Sequence, residues 1–102
     1  LDLIESNEAF AAQMVFNLQC LASKDFAQNR LGMDAPVGEI PMDKLNTWGG
    51  SLSLGHPFGA TGGRLLNTAA RRLQEDGGRY AVVSGCAAGG QGSAILLKHP
   101  EA

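Results

Sequence analysis

Asn46-Thr47-Trp48-Gly49-Gly50-Ser51-Leu52-Ser53-Leu54-Gly55-His56-Pro57-Phe58-Gly59-Ala60-Thr61-Gly62-Gly63-Arg64 is the stretch around which the chain is organised. Five of the fourteen glycines and one of the two histidines lie between Gly49 and Gly62, too many glycines for an uninterrupted helix or strand. Glycines suit sharp turns and close approaches, and Pro57 drives the residue before it out of the helical region. The His56 imidazole is thereby presented on a bend. Thr61 is then placed to cap a helix with Leu65, Leu66, Ala69, Ala70 and Leu73 on one face and Arg64, Arg71, Arg72 and Gln74 on the other. Gly77-Gly78 stops that helix after Glu75.

Upstream, Leu1 to Ser6 reads as a short strand delivering Asn7-Glu8 to the next helix, with Ser6 and Asn7 as cap residues and Glu8 in the first turn, where the helix dipole favours it. From Ala9 to Ala22 apolar residues lie on nearly every side, with Gln13, Asn17 and Lys24 as the one polar strip. Such a helix expects burial between a sheet and either another helix or a partner domain. Ser23 to Leu45, with Gly32, Pro36, Gly38 and Pro41, reads as a long irregular connection that is functional or carries a short unrecognised element.

Downstream, Tyr80 to Ser84 and Ala94 to Lys98 read as strands, joined by a tight hairpin over Gly85-Cys86-Ala87-Ala88-Gly89-Gly90-Gln91-Gly92. The predicted order is β-α-loop-β-α-β-β, an α/β fold with a mixed sheet covered by helices. The third element from the start, a strand between the irregular connection and the Thr61 helix, completes that order.

A length of 102 residues suits one domain, spanning 1–102. The chain starts at Leu1 without a methionine, directly in an apolar run, and reads as an incomplete piece of a longer protein. A net charge of −2 with both signs scattered supplies no basic stripe for nucleic acid. No apolar run approaches a membrane span and no signal-peptide pattern opens the chain. Cys20 and Cys86 are too few for a disulfide framework and match no zinc-ligand spacing, which makes a reducing compartment the default.

Asn7, His56 and Cys86 stand at the ends of predicted elements, each beside small or cap residues, where substrates meet backbone. A thiol tuned by its surroundings acts as acid or base, neighbouring glycines let backbone N–H groups face a developing oxyanion, and an asparagine amide orients a group or a water. Taken singly, each also has a structural reading: Cys86 as a small core residue, His56 as a structural histidine, Asn7 as a helix cap. Cys20 mid-helix reads as core and His99 as solvated tail. No Gly-Lys-Ser/Thr follows the glycine-rich run, and Gly59-Ala60-Thr61-Gly62-Gly63 does not match the dinucleotide fingerprint. A metal site of His56, Cys86 and Glu8 would be an ad hoc collection.

Taken together, Asn7-Glu8-Ala9-Phe10-Ala11, the run from Gly49 to Gly62, and Cys86-Ala87-Ala88-Gly89-Gly90-Gln91-Gly92 resemble the C-terminal half of thiolases in order and approximate spacing. Asn46 to Ser53 and Phe58 look most like the 3-ketoacyl-CoA thiolase subunit of fatty-acid β-oxidation multienzyme complexes. The resemblance implies a thiolase-like fold and an acyltransferase that cleaves 3-ketoacyl-CoA with coenzyme A to acetyl-CoA and a shortened acyl-CoA. It implies that the nucleophilic cysteine lies in an N-terminal half matched by no position here, so that this chain alone is inactive.

By the same resemblance His56 activates that thiol and helps form an oxyanion hole, Asn7 holds a water in the hole, and Cys86 is the acid/base for the acetyl-CoA enolate and the incoming coenzyme A. Backbone N–H groups at Ala88 and Gly89 would complete the oxyanion contacts, Ala88 standing where many thiolases have glycine. No permanently bound cofactor is implied, coenzyme A being a substrate. The implied partners are a second copy and the hydratase/dehydrogenase subunit of a β-oxidation complex, in the cytoplasm of a bacterium or the mitochondrion of a eukaryote. Two other readings are a catalytically silent thiolase-like interaction or lipid-carrier module, and a condensing enzyme of fatty-acid synthesis. Condensing enzymes share the overall fold but generally lack the Gly-His-Pro and Cys-x-x-Gly-Gly pair.

Overall fold

Alternating side chains in Leu3–Ser6 and Tyr80–Ala87 dictate the packing: Leu3, Ala81 and Val83 turn to one face of a sheet, where Leu65, Ala69 and Leu73 of the Thr61–Asp76 helix meet them. A computed structural model describes residues 2–87 and 91–100. Its order is β1 (Leu3–Ser6), α1 (Ala11–Ala22), α2 (Lys24–Arg30), α3 (Ser51–Leu54), α4 (Thr61–Asp76), β2 (Tyr80–Ala87) and β3 (Gln91–Lys98), with 3-10 turns at Met42–Lys44 and Phe58–Ala60. The three-stranded sheet runs β1-β2-β3. β1 pairs parallel to β2 with Ser6 opposite Ser84, and β2 pairs antiparallel to β3 with Cys86 opposite Gly92. The mixed α/β class expected from the sequence is therefore observed. No helix among the described residues is long and apolar enough to cross a membrane.

The strand expected before α4 is reduced to one parallel bridge, Ile4 to Leu45. Asn46, at φ +48°, turns the chain out of extended geometry immediately afterwards. Its side-chain amide then does what a strand backbone would have done: Oδ1 accepts from Ser6 N at 2.8 Å and Nδ2 donates to Ser6 O at 2.8 Å. A single side chain thus closes this edge of β1.

The expected cap of α1 also differs. Asn7 remains tied to the sheet through its N–H to Ser84 O at 2.8 Å, so the helix starts later, at Ala11, with Phe10 in the cap position and no side-chain cap bond. Glu8 lies upstream of the first turn. Nor is α1 buried on most sides: Met14 is, whereas Phe10 (73% exposed), Val15 (53%) and Phe16 (58%) face outward. Between α1 and the second face of the sheet lies a cavity of about 690 Å³, lined by Ile4, Met14, Leu18, Phe26 and Val82 among others. The long connection carries the helix α2, capped by the Ser23 hydroxyl on Phe26 N at 3.1 Å.

Arg72, expected on the polar face of α4, is buried at 2% exposure. It forms an ion pair with Glu5, itself fully buried, and donates to the carbonyls of Ile4 and Lys44. Glu5 alternates inward with Leu3, which forces its carboxylate into α4's core face. Burial pushes the Glu5 carboxyl above its usual range, and the Arg72 guanidinium opposes that shift. At the start of β2, Asp2 Oδ2 accepts from Arg79 N at 2.7 Å and Tyr80 N at 2.9 Å. The bonds from Tyr80 and Arg79 hold that carboxyl below its usual range.

Arg72→Met leaves Glu5 buried without its cation and is expected to destabilise the protein by about 3–5 kcal/mol at pH 7. A carboxyl with a raised folded pKa favours the folded state most below its unfolded pKa, so the penalty should shrink as pH falls and Glu5 takes up a proton. Urea melts of the variant at pH 7 and pH 5 check both the size and the sign. The apolar surface of Phe10, Val15 and Phe16 predicts that this chain, studied by itself, self-associates at micromolar concentration, as read by light scattering.

Candidate active site

Because β1 and β2 run in the same direction, the residue after Ser6 and the last part of β2 emerge at one edge of the sheet. In open α/β sheets that carboxyl edge is where ligands bind. A cleft of about 330 Å³ lies there, lined by Asn7, His56, Phe58, Thr61 and Cys86 together with the apolar Leu65 and Val83. Three residues singled out from separate segments, Asn7, His56 and Cys86, therefore share one cavity wall. Thr61 and Gly62, also in that wall, belong to the amino end of α4, where the helix dipole favours negative charge, although the Thr61 N–H is already bonded to Phe58 O.

His56 stands on the turn between α3 and α4, exposed, with Gly55 before it at φ +106°, a conformation that favours glycine. Its Nδ1 lies 2.7 Å from Thr61 Oγ1, and its ring meets Phe58 edge-on, with centroids 5.4 Å apart and planes at 88°. Thr61 is buried, so the imidazole is braced from a fixed point and Nε2 is the nitrogen left for a ligand. The Thr61 hydroxyl is thus not the helix cap expected from the sequence. The 3-10 turn Phe58–Ala60 runs directly into α4, placing Ala60 in the cap position without a side-chain bond. Phe58, at φ +35° and 83% exposed, is held in a conformation rare outside glycine, as residues at functional turns often are.

Asn7 is held at both ends. Its N–H bonds to β2, and its Oδ1 accepts from Ser51 Oγ at 2.6 Å, which leaves the Nδ2 hydrogens as its free donors. Cys86 carries an exposed free thiol on β2, opposite Gly92, which puts no side chain beside it. The strands of the hairpin run further toward its tip than the sequence suggests, to Ala87 and from Gln91. Ala88 and Gly89 lie outside the described residues.

Glu8 fastens the glycine-rich run to β1. Its Oε2 accepts from Asn46 Nδ2 at 2.9 Å and its Oε1 from Leu52 N at 3.2 Å, at the start of α3. Gly50 is needed for that approach: a Cβ there would come within 2.2 Å of Glu8 Oε1.

The profile of the thiolase C-terminal domain matches residues 1–99. The chain belongs to that family. The β subunit of the mitochondrial trifunctional enzyme of Bos taurus is 54% identical over 98 residues, covering 96% of this chain and 21% of the relative. A probable 3-ketoacyl-CoA thiolase of Caenorhabditis elegans is 50% identical over 97 residues, covering 95% and 22% respectively. The crystal structure of human mitochondrial 3-ketoacyl-CoA thiolase superposes with a TM-score of 0.72 at 33% identity, over 98% of this chain and 21% of that one. This thiolase domain therefore spans about a fifth of the length of the relatives it matches.

Sequence reasoning missed the partners of the site residues: Thr61 for His56, Ser51 for Asn7, and Asn46 with Glu8 beneath α3. The hydroxyls of the Gly-rich run and the Glu8 carboxylate upstream were visible, but their long-range pairing carried no local signal. Gly50→Ala should push the flexible end of Glu8 off Asn46 and Leu52, destabilising the domain by about 1 kcal/mol. Differential scanning calorimetry of the variant measures this as a lowered melting temperature.

Proposed function

We propose that this domain supplies half of the active site of a 3-ketoacyl-CoA thiolase acting in fatty-acid degradation. The observation that carries the reading is the cleft shared by Asn7, His56 and Cys86. Support comes also from the names of relatives, which include 3-ketoacyl-CoA thiolases and trifunctional enzyme β subunits.

In this reading a cysteine thiol supplied from outside this chain, deprotonated by His56 Nε2, attacks C3 of the 3-ketoacyl-CoA. The C2–C3 bond then breaks, its electron pair departs as the acetyl-CoA enolate, and the shortened acyl group remains as a thioester. Cys86 gives its proton to C2 of the enolate. The Cys86 thiolate next takes the proton of the incoming coenzyme A, whose sulfur attacks the thioester and releases the shortened acyl-CoA. Charge builds on a thioester oxygen in the first half and on the acyl carbonyl oxygen in each attack. Fixed donors stabilise such charge where it develops. Asn7 Nδ2 would hold a water for that purpose, the His56 N–H would donate directly, and the N–H groups of Ala88 and Gly89 would add to the set.

Coenzyme A enters as a substrate, with no resident cofactor. A partner of the trifunctional or bacterial complex type, carrying hydratase and dehydrogenase activity, and a second copy of the thiolase fit the same reading. The compartment would be mitochondrial in a eukaryotic source and cytoplasmic in a bacterial one.

Cys86→Ala in the intact gene product should lower the rate of acetyl-CoA release by about 10²–10⁴-fold, the range for loss of a positioned acid/base. This chain by itself should show no thiolysis. Near-normal turnover of the variant, followed by absorbance of the 3-ketoacyl-CoA enolate, overturns the role of Cys86.

A further inference from the structure

Asn7 and His56 come from distant segments, yet one side chain reaches the supports of both. Arg64 Nη1 donates to Gly55 O at 2.8 Å, the carbonyl of the peptide group leading into His56, and Arg64 Nη2 donates to Ser51 Oγ at 3.1 Å. Ser51 Oγ in turn lies 2.6 Å from Asn7 Oδ1. A guanidinium can only donate, so the Ser51 oxygen is the acceptor there and its own hydrogen is given to Asn7. A hydroxyl that accepts from a cation is polarised toward donating, which tightens the second bond. The result fixes the Asn7 amide with oxygen inward and leaves its NH₂ for a ligand. On the other branch, the turn at Gly55 to Pro57 has no regular secondary structure, and Gly55 is tied by its N–H to Ser51 O at 2.9 Å and by Arg64.

We propose that Arg64 is a positioning residue for thiolysis, setting Asn7 through Ser51 and His56 through the Gly55 carbonyl, in a reading that rests on the thiolase function proposed above. Its forked shape matters as much as its charge: a lysine ammonium cannot span both acceptors in one plane. Arg64 does not line the cleft and acts only through these neighbours.

The test uses the intact gene product with R64A, R64K, S51A and the R64A/S51A double variant, and R71A as an exposed control on the same helix. R64A should lower kcat by about 10–100-fold, the scale of a small misplacement of reacting groups, with KM nearly unchanged. Added guanidinium should restore much of the R64A activity and none of that of H56A, and R64K should stay impaired. The double variant should fall little below R64A, because both changes cut one chain of bonds. A crystal structure of the R64A protein should show the Asn7 amide or the Gly55–His56 peptide displaced.

A wild-type protein without thiolysis overturns the thiolase reading, and the R64A structure then decides the positioning role on its own: unmoved Asn7 and His56 overturn it. An active wild type whose R64A variant keeps full kcat, or loses it without guanidinium rescue and additively with S51A, overturns the proposal while leaving the thiolase reading intact.

Discussion

Parallel pairing of β1 with β2 is the constraint from which the rest follows. These strands come from opposite ends of the sequence, and only because they point the same way do Asn7 and Cys86 emerge at one edge. Antiparallel pairing would send them to opposite edges. Parallel strands need a crossover, and α4 fills that role by packing Leu65, Ala69 and Leu73 on the Leu3, Ala81 and Val83 face. The crossover helix therefore does two jobs. It covers the sheet, and its amino end delivers Thr61, and with it His56, to the edge where the strands end.

The price of this arrangement is a buried ion pair. Register places Glu5 inward beside Leu3, and α4 answers with Arg72, whose Nη1 and Nη2 also donate to the carbonyls of Ile4 and Lys44, while its Nε and Glu5 Oε1 stay buried without a partner. Desolvation dominates at Glu5, since its carboxyl is raised despite the adjacent guanidinium, so the pair is weak as a source of stability. It is better understood as a latch between β1, α4 and the segment that leads to Asn46. Asn46 and Glu8 continue that latch on the other side of β1, and the glycine-rich run is fixed to the sheet through polar side chains more than through apolar packing.

What periodicity encodes was legible in the sequence: the apolar face of α4, its stop at the left-handed Gly77 (φ +70°), the two strands of the hairpin and the mixed α/β class. Polar residues that substitute for secondary structure were not. Asn46 carries no local signal for its role: its φ of +48° ends the extended segment, and its amide replaces the pairing that the expected strand would have made. Arg72 carried a usable signal, because it stands three places after Ala69 and seven after Leu65, on the core side of a 3.6-residue period, with Glu5 at an inward strand position. A charge on a core face calls for its counter-charge on the facing element. The exposure of α1 has a different cause: composition reports which surfaces need cover, and the described residues of this chain supply it only along the Met14 strip, leaving the partner-domain side of that expectation untested.

The brace on His56 bears on how one imidazole could serve two demands in the proposed reaction. To take a proton from a thiol, Nε2 must be bare, which puts the hydrogen on Nδ1 and makes Thr61 Oγ1 the acceptor. To donate to an oxyanion, Nε2 must carry a hydrogen, and once a proton has been taken both nitrogens do. A carboxylate or carbonyl partner on Nδ1 would fix one tautomer throughout, since it only accepts. A hydroxyl accepts and donates, so the 2.7 Å contact survives either tautomer of the neutral ring and the charged form as well. Burial of Thr61 in the first turn of α4 keeps the oxygen in place while its hydrogen rotates, which holds the ring's direction constant as its protonation changes.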